Sequence, residues 1–298
     1  MKNTARGLKG RDLLAISDLA GDELLQIVGL AARIKSGDWS HQPLHGKYVA
    51  MLFQRPSHRT RVSFEVGIAK LGGHCITLGE EDVQIGRRES VADAARVLDR
   101  YVDVVVARLR RHQELVEFAA AASRPVINAL TEQAHPCQVL ADLLTIAEVC
   151  GSVQSARIAY VGDGNNIARS LMEAAELLGF SLTVIAPPAY LPAPNGAKNV
   201  TLTPDVAGLD GAKIVYTDVW TSMGQEAERE RRRHEFAPYQ VNDALLARAP
   251  EALFMHCLPA HRGEEVTDTV IDGPRSIVLQ QAENRLYAQM ALLALVVQ

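Results

Sequence analysis

Short apolar segments alternate with longer amphipathic segments along most of the chain. Apolar runs of strand length lie at residues 48–53, 75–78, 102–107, 125–128, 157–161, 182–186, 213–217, 252–257 and 276–279. Apolar residues recur at helical spacing at 19–34, 59–71, 90–100, 138–149, 166–178, 227–236 and 283–297. Such alternation predicts an α/β protein in which helices cover parallel sheets.

The chain of 298 residues is long enough for about two domains. The segment EVCGSVQSARI, a bridge of small residues between a helix and a new strand, marks the best internal boundary. We therefore predict one domain at 1–148, with helix 283–298 packing back onto it, and a second domain at 149–282.

Composition and charge argue against several classes of protein. The net charge of −4 gives no overall electrostatic footprint for nucleic acid. No apolar run approaches the roughly 18 residues that a membrane span needs, and the N-terminus lacks the apolar core of a signal peptide. The four cysteines show neither C-x-x-C pairs nor zinc-ligand spacing. The charged run EAERERRRHEF reads as a solvated helix face. A soluble, cytoplasmic protein is the expectation.

Polar clusters follow several predicted strands, at the carboxyl ends where open parallel sheets bind ligands. The first is Ser57-His58-Arg59-Thr60-Arg61, at the start of a predicted helix. Cations are disfavoured at this positive end of a helix unless an anion binds there. Helix N–H groups, hydroxyls and a guanidinium together suit a phosphate. The alternative is an ordinary capped helix with solvated arginines.

Other polar residues are weaker signals when each is taken alone. Arg108 ends a very apolar strand and would otherwise simply begin a loop. His135 precedes Pro136 at a helix start and could, with Gln138, hydrogen-bond a carbonyl, although a lone histidine is more often structural. Arg285 begins the last predicted helix, again a cation at the positive end.

A glycine-rich loop after strand 157–161 suggests dinucleotide binding through Gly162-x-Gly164. However, Ile167 occupies the third glycine position, and strand 182–186 ends without an acidic residue for a ribose. These departures argue against a nicotinamide cofactor.

The same loop and two later strand ends offer ligands for a small substrate. Asn165 and Asn166 are candidates at the loop. Asp218 and Cys257 each end an apolar strand, and Ser222-Met223-Gly224 reads as a mobile loop. A buried cysteine is usually just a small hydrophobe, so Cys257 depends on its neighbours for a functional interpretation.

Taken together, the polar motifs resemble those of the transcarbamylases, and most closely the ornithine branch of that family, over nearly the whole chain. The matching pieces are Ser57-x-Arg59-Thr60-Arg61, His135-Pro136-Cys137-Gln138, Gly162-Asp163-Gly164-Asn165-Asn166, Asp218 with Ser222-Met223-Gly224, His256-Cys257-Leu258-Pro259 and Glu283-Asn284-Arg285.

Two pieces favour the ornithine branch. Aspartate transcarbamylase has neither a cysteine at the position of Cys257 nor a Ser-Met-Gly loop, and that loop also argues against the putrescine and acylated-ornithine relatives. The chain departs from the family twice. His58 replaces the usual threonine, which we expect to alter affinity rather than abolish activity. The segment PPAYLPAPNGAKNVTLTPDV stands where relatives usually carry an extra helix.

The resemblance implies transfer of the carbamoyl group from carbamoyl phosphate to the δ-amine of L-ornithine, giving L-citrulline and phosphate without a metal or organic cofactor. It implies two doubly wound parallel-sheet domains joined by helices, the first for carbamoyl phosphate and the second for ornithine. It further implies a homotrimer or a multiple of trimers. Whether the reaction serves arginine synthesis or arginine breakdown stays open.

The resemblance also assigns roles to individual residues. Carbamoyl phosphate would be held by Ser57, His58, Arg59, Thr60, Arg108, His135, Gln138, Cys257, Leu258 and Arg285. Catalysis would depend on Arg108, His135, Gln138, Cys257 and Arg285, while ornithine would be fixed by Asn166, Asp218, Ser222 and Met223. Gln84, in the loop GEEDVQIGRRES, would reach the carbamoyl phosphate of a neighbouring subunit.

Three alternatives remain at this stage. The nearest is a carbamoyltransferase for a related amine, such as putrescine or an acylated ornithine. A non-catalytic paralogue that binds one of the substrates is disfavoured by the complete set of motifs. A nicotinamide-dependent oxidoreductase is already weakened by Ile167.

Overall fold

The computed structural model describes residues 7–79, 81–82, 89–222 and 224–297. The chain divides into two compact units, one formed by Met1–Leu144 with Asn284–Gln298 and the other by Thr145–Glu283. Each unit contains one parallel sheet with flanking helices. The predicted fold class is therefore confirmed.

The first unit is built on a four-stranded parallel sheet. Its strands are β1 (Tyr48–Phe53), β2 (His74–Leu78), β3 (Val104–Arg108) and β4 (Val126–Leu130), in the spatial order β2-β1-β3-β4. The central strands β1 and β3 read YVAMLF and VVVAR and are almost wholly buried, the pattern of a sheet covered on both faces. Its helices are α1 (Gly21–Ser36), α2 (His58–Lys70), α3 (Val91–Leu98), α4 (His112–Ala121) and the first part of α5 (Pro136–Cys150).

The second unit is built on a five-stranded parallel sheet. Its strands are β5 (Arg157–Val161), β6 (Ser181–Ile185), β7 (Val200–Thr203), β8 (Ile214–Thr217) and β9 (Leu253–His256), in the order β7-β6-β5-β8-β9. Its helices are α6 (Asn166–Leu178), α7 (Arg229–Phe236), α8 (Asp243–Leu246) and α9 (Asp268–Ile271).

Two helices contain the boundaries between the units and so join them along the chain. The first boundary falls within α5, between Leu144 and Thr145. The second falls within α10 (Val278–Val297), between Glu283 and Asn284.

Each sheet has one point where the strand order reverses. In the first sheet the chain runs from β1 to β2 on one side and then crosses to β3 on the other. In the second sheet the corresponding point lies between β5 and β8. Ligands of open α/β sheets bind beyond the carboxyl ends of the strands at such a point. Ser57 and Arg108 lie there in the first sheet, and Gly162 and Asp218 lie there in the second.

The strand predicted at 276–279 is wrong. Ser276 makes one isolated bridge with Phe254, and α10 begins two residues later at Val278. The apolar run is too short for its period to distinguish a strand from the first turn of a helix. As a consequence, the last helix starts five residues earlier than the predicted 283.

Four of the described elements were absent from the sequence prediction: strand β7, helix α4 and the one-turn helices α8 and α9. Strand β7, with the sequence VTLT, lies at a sheet edge and is only half-buried, so its sequence lacks a continuous apolar run. Helix α4 contains Leu115, Phe118 and Ala119 on its buried face, a helical spacing within a segment to which the prediction assigned no element.

None of the helices within the described ranges is long and apolar enough to cross a membrane.

Candidate active site

The turn from β1 into α2 opens the first group of polar residues. Ser57 occupies the cap position of α2, but its side chain does not bond the helix N–H groups in the described part of the chain. Its hydroxyl instead donates to Thr60 Oγ1 over 3.0 Å. Thr60 is fully buried. Ser57 therefore does not cap α2 with its side chain, and the N–H groups at the start of the helix are left to other acceptors.

Arg285 approaches the same hydroxyl from α10. Its Nη2 donates to Thr60 Oγ1 over 2.9 Å, and its Nη1 donates to Gln138 Oε1 over 3.0 Å. The Gln138 amide nitrogen donates to Asp142 over 2.9 Å, which fixes the amide oxygen toward the guanidinium. Because Thr60 accepts two hydrogen bonds, its own proton is directed to a further acceptor.

The position of Arg285 differs from the sequence prediction. The prediction placed it at the start of the last helix, whereas α10 begins at Val278, seven residues earlier. Arg285 therefore lies two turns inside the helix, beyond the first turn where the helix dipole acts on charges. What places it in the site is the buried contact with Thr60 and Gln138.

Arg108 is a buried cation at the end of β3. Only 6% of the residue is exposed, and its Nε has no hydrogen-bond partner among the described residues. Burial lowers the pKa of Arg108 to about 10, and repulsion from Arg285, Arg55 and Arg59 adds to that shift. Several positive charges that repel one another are the environment in which a polyvalent anion is stabilised.

His135 lies directly before α5 and is 5% exposed. Its pKa is lowered well below the usual 6.5, first by burial and then by the charges of Arg285 and Arg108. The imidazole is therefore neutral at physiological pH and can offer one N–H to a carbonyl oxygen without adding a charge.

The remaining residues of the first motif divide into two kinds. Arg59 is half-buried and His58 is exposed. The two side chains lie side by side, with 3.4 Å between Arg59 Nη1 and His58 Nε2. Arg61 points away from this group, since 56% of its side chain is exposed and it pairs with Glu65 at 2.8 Å. Of the two arginines in the opening turn, Arg59 alone has electrostatic contact with Arg108. The predicted residue Gln84 lies outside the described residues.

The second unit carries its own polar group at the switch point between β5 and β8. Asn165 Nδ2 donates to Asp218 Oδ2 over 2.7 Å. The thiol of Cys257 donates to Asp218 Oδ1 over 3.0 Å. Asp218 and Asn165 are each 8% exposed, and Cys257 is half-buried. The structure thus brings together three residues that the sequence placed on three separate strand ends.

The backbone after Cys257 is held by a buried histidine. Leu258 has a left-handed backbone, with φ of 58°, and its N–H donates to His256 Nδ1 over 2.8 Å. Nδ1 is therefore an acceptor, so the proton of the neutral ring lies on Nε2, which is 3.2 Å from Glu265 Oε1. Both side chains of this pair are fully buried.

The loop Gly162–Asn166 packs against Tyr190 and Pro192. Gly164 N–H donates to the Tyr190 carbonyl over 2.9 Å, and a Cβ at Gly164 would lie 2.6 Å from that oxygen and from Pro192. The close approach requires a glycine at this position. No bound pyrophosphate is needed to explain why Gly164 is present. Together with buried Ile167, this contact removes the basis for the dinucleotide interpretation.

The charged helix α7 is not solvated on all sides, in contrast to the prediction. Arg232 is 6% exposed and pairs with Asp163 at 3.1 Å, while its Nη1 also donates to the Trp220 carbonyl over 2.9 Å. Its guanidinium lies 4.8 Å from the centre of the Tyr190 ring. One side chain thus ties three loops together. Its spacing of four residues from buried Phe236 was the available sequence signal.

The remaining predicted ornithine ligands are only partly described. Asn166 begins α6. The N–H of half-buried Ser222 donates to Gln225 Oε1 over 3.0 Å. Met223 lies outside the described residues.

Comparisons with known proteins agree with this arrangement of motifs. The family model described as "Aspartate/ornithine carbamoyltransferase, carbamoyl-P binding domain" matches residues 11–148, and the model for the "Asp/Orn binding domain" of the same family matches residues 154–296. The chain is 49% identical over 302 residues to the ornithine carbamoyltransferase of Anoxybacillus flavithermus, with 96% of each chain covered.

Comparisons with Pyrococcus furiosus extend the similarity to a solved structure. The anabolic ornithine carbamoyltransferase of that organism is 49% identical, with 97% of each chain covered. A solved structure of ornithine carbamoyltransferase from P. furiosus superposes with a TM-score of 0.93 at 48% identity, covering 98% of each chain. The chain belongs to the aspartate/ornithine carbamoyltransferase family.

Proposed function

We propose that this protein is an ornithine carbamoyltransferase, which forms L-citrulline and phosphate from carbamoyl phosphate and L-ornithine. The observation that carries the proposal is a buried group at the switch point of the first sheet, in which Arg285 donates to the Thr60 hydroxyl and the charge of Arg285 repels that of Arg108. Relatives with this activity in their names match nearly the whole chain.

The first unit, in this proposal, binds carbamoyl phosphate. Arg59 and Arg108 supply positive charge for the phosphate, and Ser57 and Thr60 supply hydroxyls at the start of α2. Burial and, second, repulsion between the arginines lower the pKa of Arg108, and a bound dianion would offset both. Exposed His58 stands beside Arg59 and would modify phosphate affinity from the rim.

The carbonyl group of carbamoyl phosphate is proposed to accept hydrogen bonds from one cationic and one neutral side chain. Arg285 and neutral His135 would donate to the carbonyl oxygen, where negative charge develops as the amine attacks. Gln138 orients Arg285 through the bond to its Nη1. The resemblance also assigns Cys257 and the backbone at Leu258 to the carbamoyl group.

Ornithine is assigned to the second unit. Asn166, Asp218, Ser222 and Met223 would bind its α-amino and α-carboxylate groups. Its δ-amine must attack in the neutral form, although a free alkylamine has a pKa of about 10.4. Desolvation and nearby cations would favour that form. The new C–N bond forms as the C–O bond to phosphate breaks, and the amine proton leaves with the phosphate.

An assay of citrulline formation tests the reaction. We expect citrulline and phosphate in equal amounts from carbamoyl phosphate and ornithine without added cofactor. Tight binding of either substrate with no citrulline formed would instead support a non-catalytic paralogue.

The choice of amine tests the assignment of the second unit. Putrescine lacks the carboxylate that the ornithine ligands would bind, so unpaired polar groups should reject it. We expect ornithine to exceed putrescine in kcat/KM by roughly a thousandfold or more. Comparable values would move the function to a putrescine carbamoyltransferase.

Three broader assignments belong to the same proposal. We assign carbamoyl phosphate to a domain at 1–148 with helix 283–298, and ornithine to a domain at 149–282. We also propose a homotrimer or a multiple of trimers, in which Gln84 serves the neighbouring subunit. A cytoplasmic location stays a prediction from the sequence.

A further inference from the structure

Asn165 has an amide whose orientation is fixed by the atoms around it. Its Oδ1 accepts from the N–H groups of Ile167 and Ala168, at 2.9 and 3.2 Å, and so caps α6. The same oxygen lies 3.2 Å from the hydroxyl of Tyr160. Backbone N–H groups can only donate, so this amide atom must be the oxygen, and the opposite atom must be the nitrogen.

Tyr160 supports this orientation from inside the sheet. The tyrosine is fully buried on β5. Burial raises the pKa of Tyr160 well above its usual value, and the carboxylate of Asp218 adds to the shift. The phenol therefore keeps its proton and donates to the amide oxygen of Asn165.

The fixed amide nitrogen determines how Asp218 is held. Asn165 Nδ2 donates to Oδ2 of Asp218 over 2.7 Å, while the thiol of Cys257 donates to Oδ1. Among the described residues each carboxylate oxygen thus has one donor, and it keeps a second lone pair for a cationic ligand. A rotation of the carboxylate would break one of these two bonds.

We propose that Asn165 is a positioning residue for ornithine binding, which aims the Asp218 carboxylate while its own amide oxygen is held by the start of α6 and by Tyr160. This inference rests on the proposed role of Asp218 as a ligand of ornithine. The inference gives the two adjacent asparagines of the loop different roles. Asn165 acts through Asp218, whereas Asn166 is assigned to direct contact with ornithine.

The sharpest test is the substitution Asn165→Asp, compared with Asn242→Asp. Both asparagines cap helices in the second unit, because Asn242 Oδ1 accepts from the N–H of Leu245 over 2.9 Å. Aspartate has nearly the same shape and is an equally good cap, so both variants should fold. Only at position 165 does the change place a second carboxylate against Asp218.

We expect Asn165→Asp to raise the KM for ornithine by about ten- to a hundredfold, because the donor to Asp218 becomes a repelling charge. Asn242→Asp should leave the KM within about twofold of the wild-type value. The dissociation constant for carbamoyl phosphate, measured by calorimetry without ornithine, should change in neither variant.

L-Norvaline isolates the part of the substrate that Asp218 would contact. It keeps the α-amino and α-carboxylate groups but lacks the δ-amine, so its affinity reports binding without the chemical step. Its inhibition constant should rise in Asn165→Asp by about the same factor as the KM for ornithine.

Two further variants keep the test decisive. Asn165→Ser retains a capping oxygen but loses the donor to Asp218, so it should also weaken ornithine and norvaline binding. Tyr160→Phe removes one oxygen, and we expect a smaller effect of about two- to fivefold because the two backbone N–H groups still hold the amide.

Wild-type KM values for ornithine in folded Asn165→Asp and Asn165→Ser would overturn the inference. An equal loss in Asn242→Asp would overturn it as well, because the effect would then come from capping. Failure of the proposed function is a different result, since the wild-type protein itself would then form no citrulline.

Discussion

Arg108 is held in a position that is unfavourable for the protein without its ligand. Burial removes water from the guanidinium, and Arg55, Arg59 and Arg285 repel it, so its pKa falls to about 10. A depressed pKa means that the charged form is less favourable in the folded than in the unfolded chain. Binding of an anion would reverse the sign of that electrostatic environment.

The substitution Arg108→Met should therefore stabilise the ligand-free protein while removing its response to phosphate. We expect a gain of roughly 1–3 kcal/mol in the free energy of unfolding, because a buried charge is replaced by an apolar side chain of similar length. Inorganic phosphate should raise the unfolding temperature of the wild-type protein and of the exposed control Arg61→Met. A phosphate-dependent increase in Arg108→Met would contradict the assignment.

His135 couples the stability of the fold to pH. Its folded pKa lies well below 6.5, which is near the value expected in the unfolded chain. Below about pH 6.5 the unfolded state binds a proton that the folded state does not, so stability falls as the pH falls, by up to about 1.4 kcal/mol per pH unit. Above that pH this group contributes no pH dependence.

Replacing His135 should weaken this acid sensitivity. Thermal unfolding between about pH 7.5 and pH 5.5 should show a smaller loss of stability in His135→Gln than in the wild-type protein. The same substitution at exposed His58 provides the control for the loss of a histidine elsewhere in the first motif. Parallel curves for wild type and His135→Gln would mean that His135 takes up its proton equally in both states.

At the scale of elements, α7 shows how one residue changes the role of a charged helix. Arg229, Arg231 and Arg233 are exposed to solvent, where ion pairs contribute little. Arg232 lies on the same face as Phe236 and bonds Asp163 and the Trp220 carbonyl. Asp163 belongs to the loop that begins α6, and Trp220 lies two residues before Ser222. The helix therefore supports both loops that carry proposed ornithine ligands.

The pair Arg232→Met and Arg233→Met tests this role of α7. Loss of Arg232 leaves Asp163 buried beside Asp218 without its cation, which should lower the stability of the second unit by about 3 kcal/mol and weaken ornithine binding. Arg233→Met should change stability by less than about 0.5 kcal/mol. Chemical denaturation and ornithine KM measure the two effects, and equal behaviour of the variants would exclude a special role for Arg232.

At the scale of the whole molecule, the proposed trimer predicts complementation between inactive chains. Gln84→Glu would inactivate the neighbouring subunit's site by placing an anion against its phosphate. Arg59→Ala would inactivate the site of its own chain by removing a cation that binds the phosphate. If each site combines one chain's body with its neighbour's loop, equal mixing restores about a quarter of the sites. Co-refolding the two mutants should recover that fraction of citrulline formation. Mixed trimers without recovered activity would show that Gln84 does not serve a neighbouring site.

The fold class and the chemical motifs could be predicted from the order of residues alone. Near-continuous apolar runs such as β1 and β5 specified buried parallel strands, and both have the bounds that were predicted. Motifs such as Ser57–Arg61 and Gly162–Asn166 are short and contiguous, so residue order alone carries them. Local patterns of this kind reflect local backbone preference and burial, which act over a few residues.

Which side chains meet could not be predicted in this way, because those contacts join distant parts of the chain. Arg285 and Thr60 are 225 positions apart, and Asn165 and Asp218 are 53 apart, so no spacing in the sequence predicts either hydrogen bond. The burial of Arg232 and the packing of Tyr190 on Gly164 likewise depend on loops from different strands. Long-range contacts follow from the order of strands in a sheet, and that order is fixed by the packing of the whole unit.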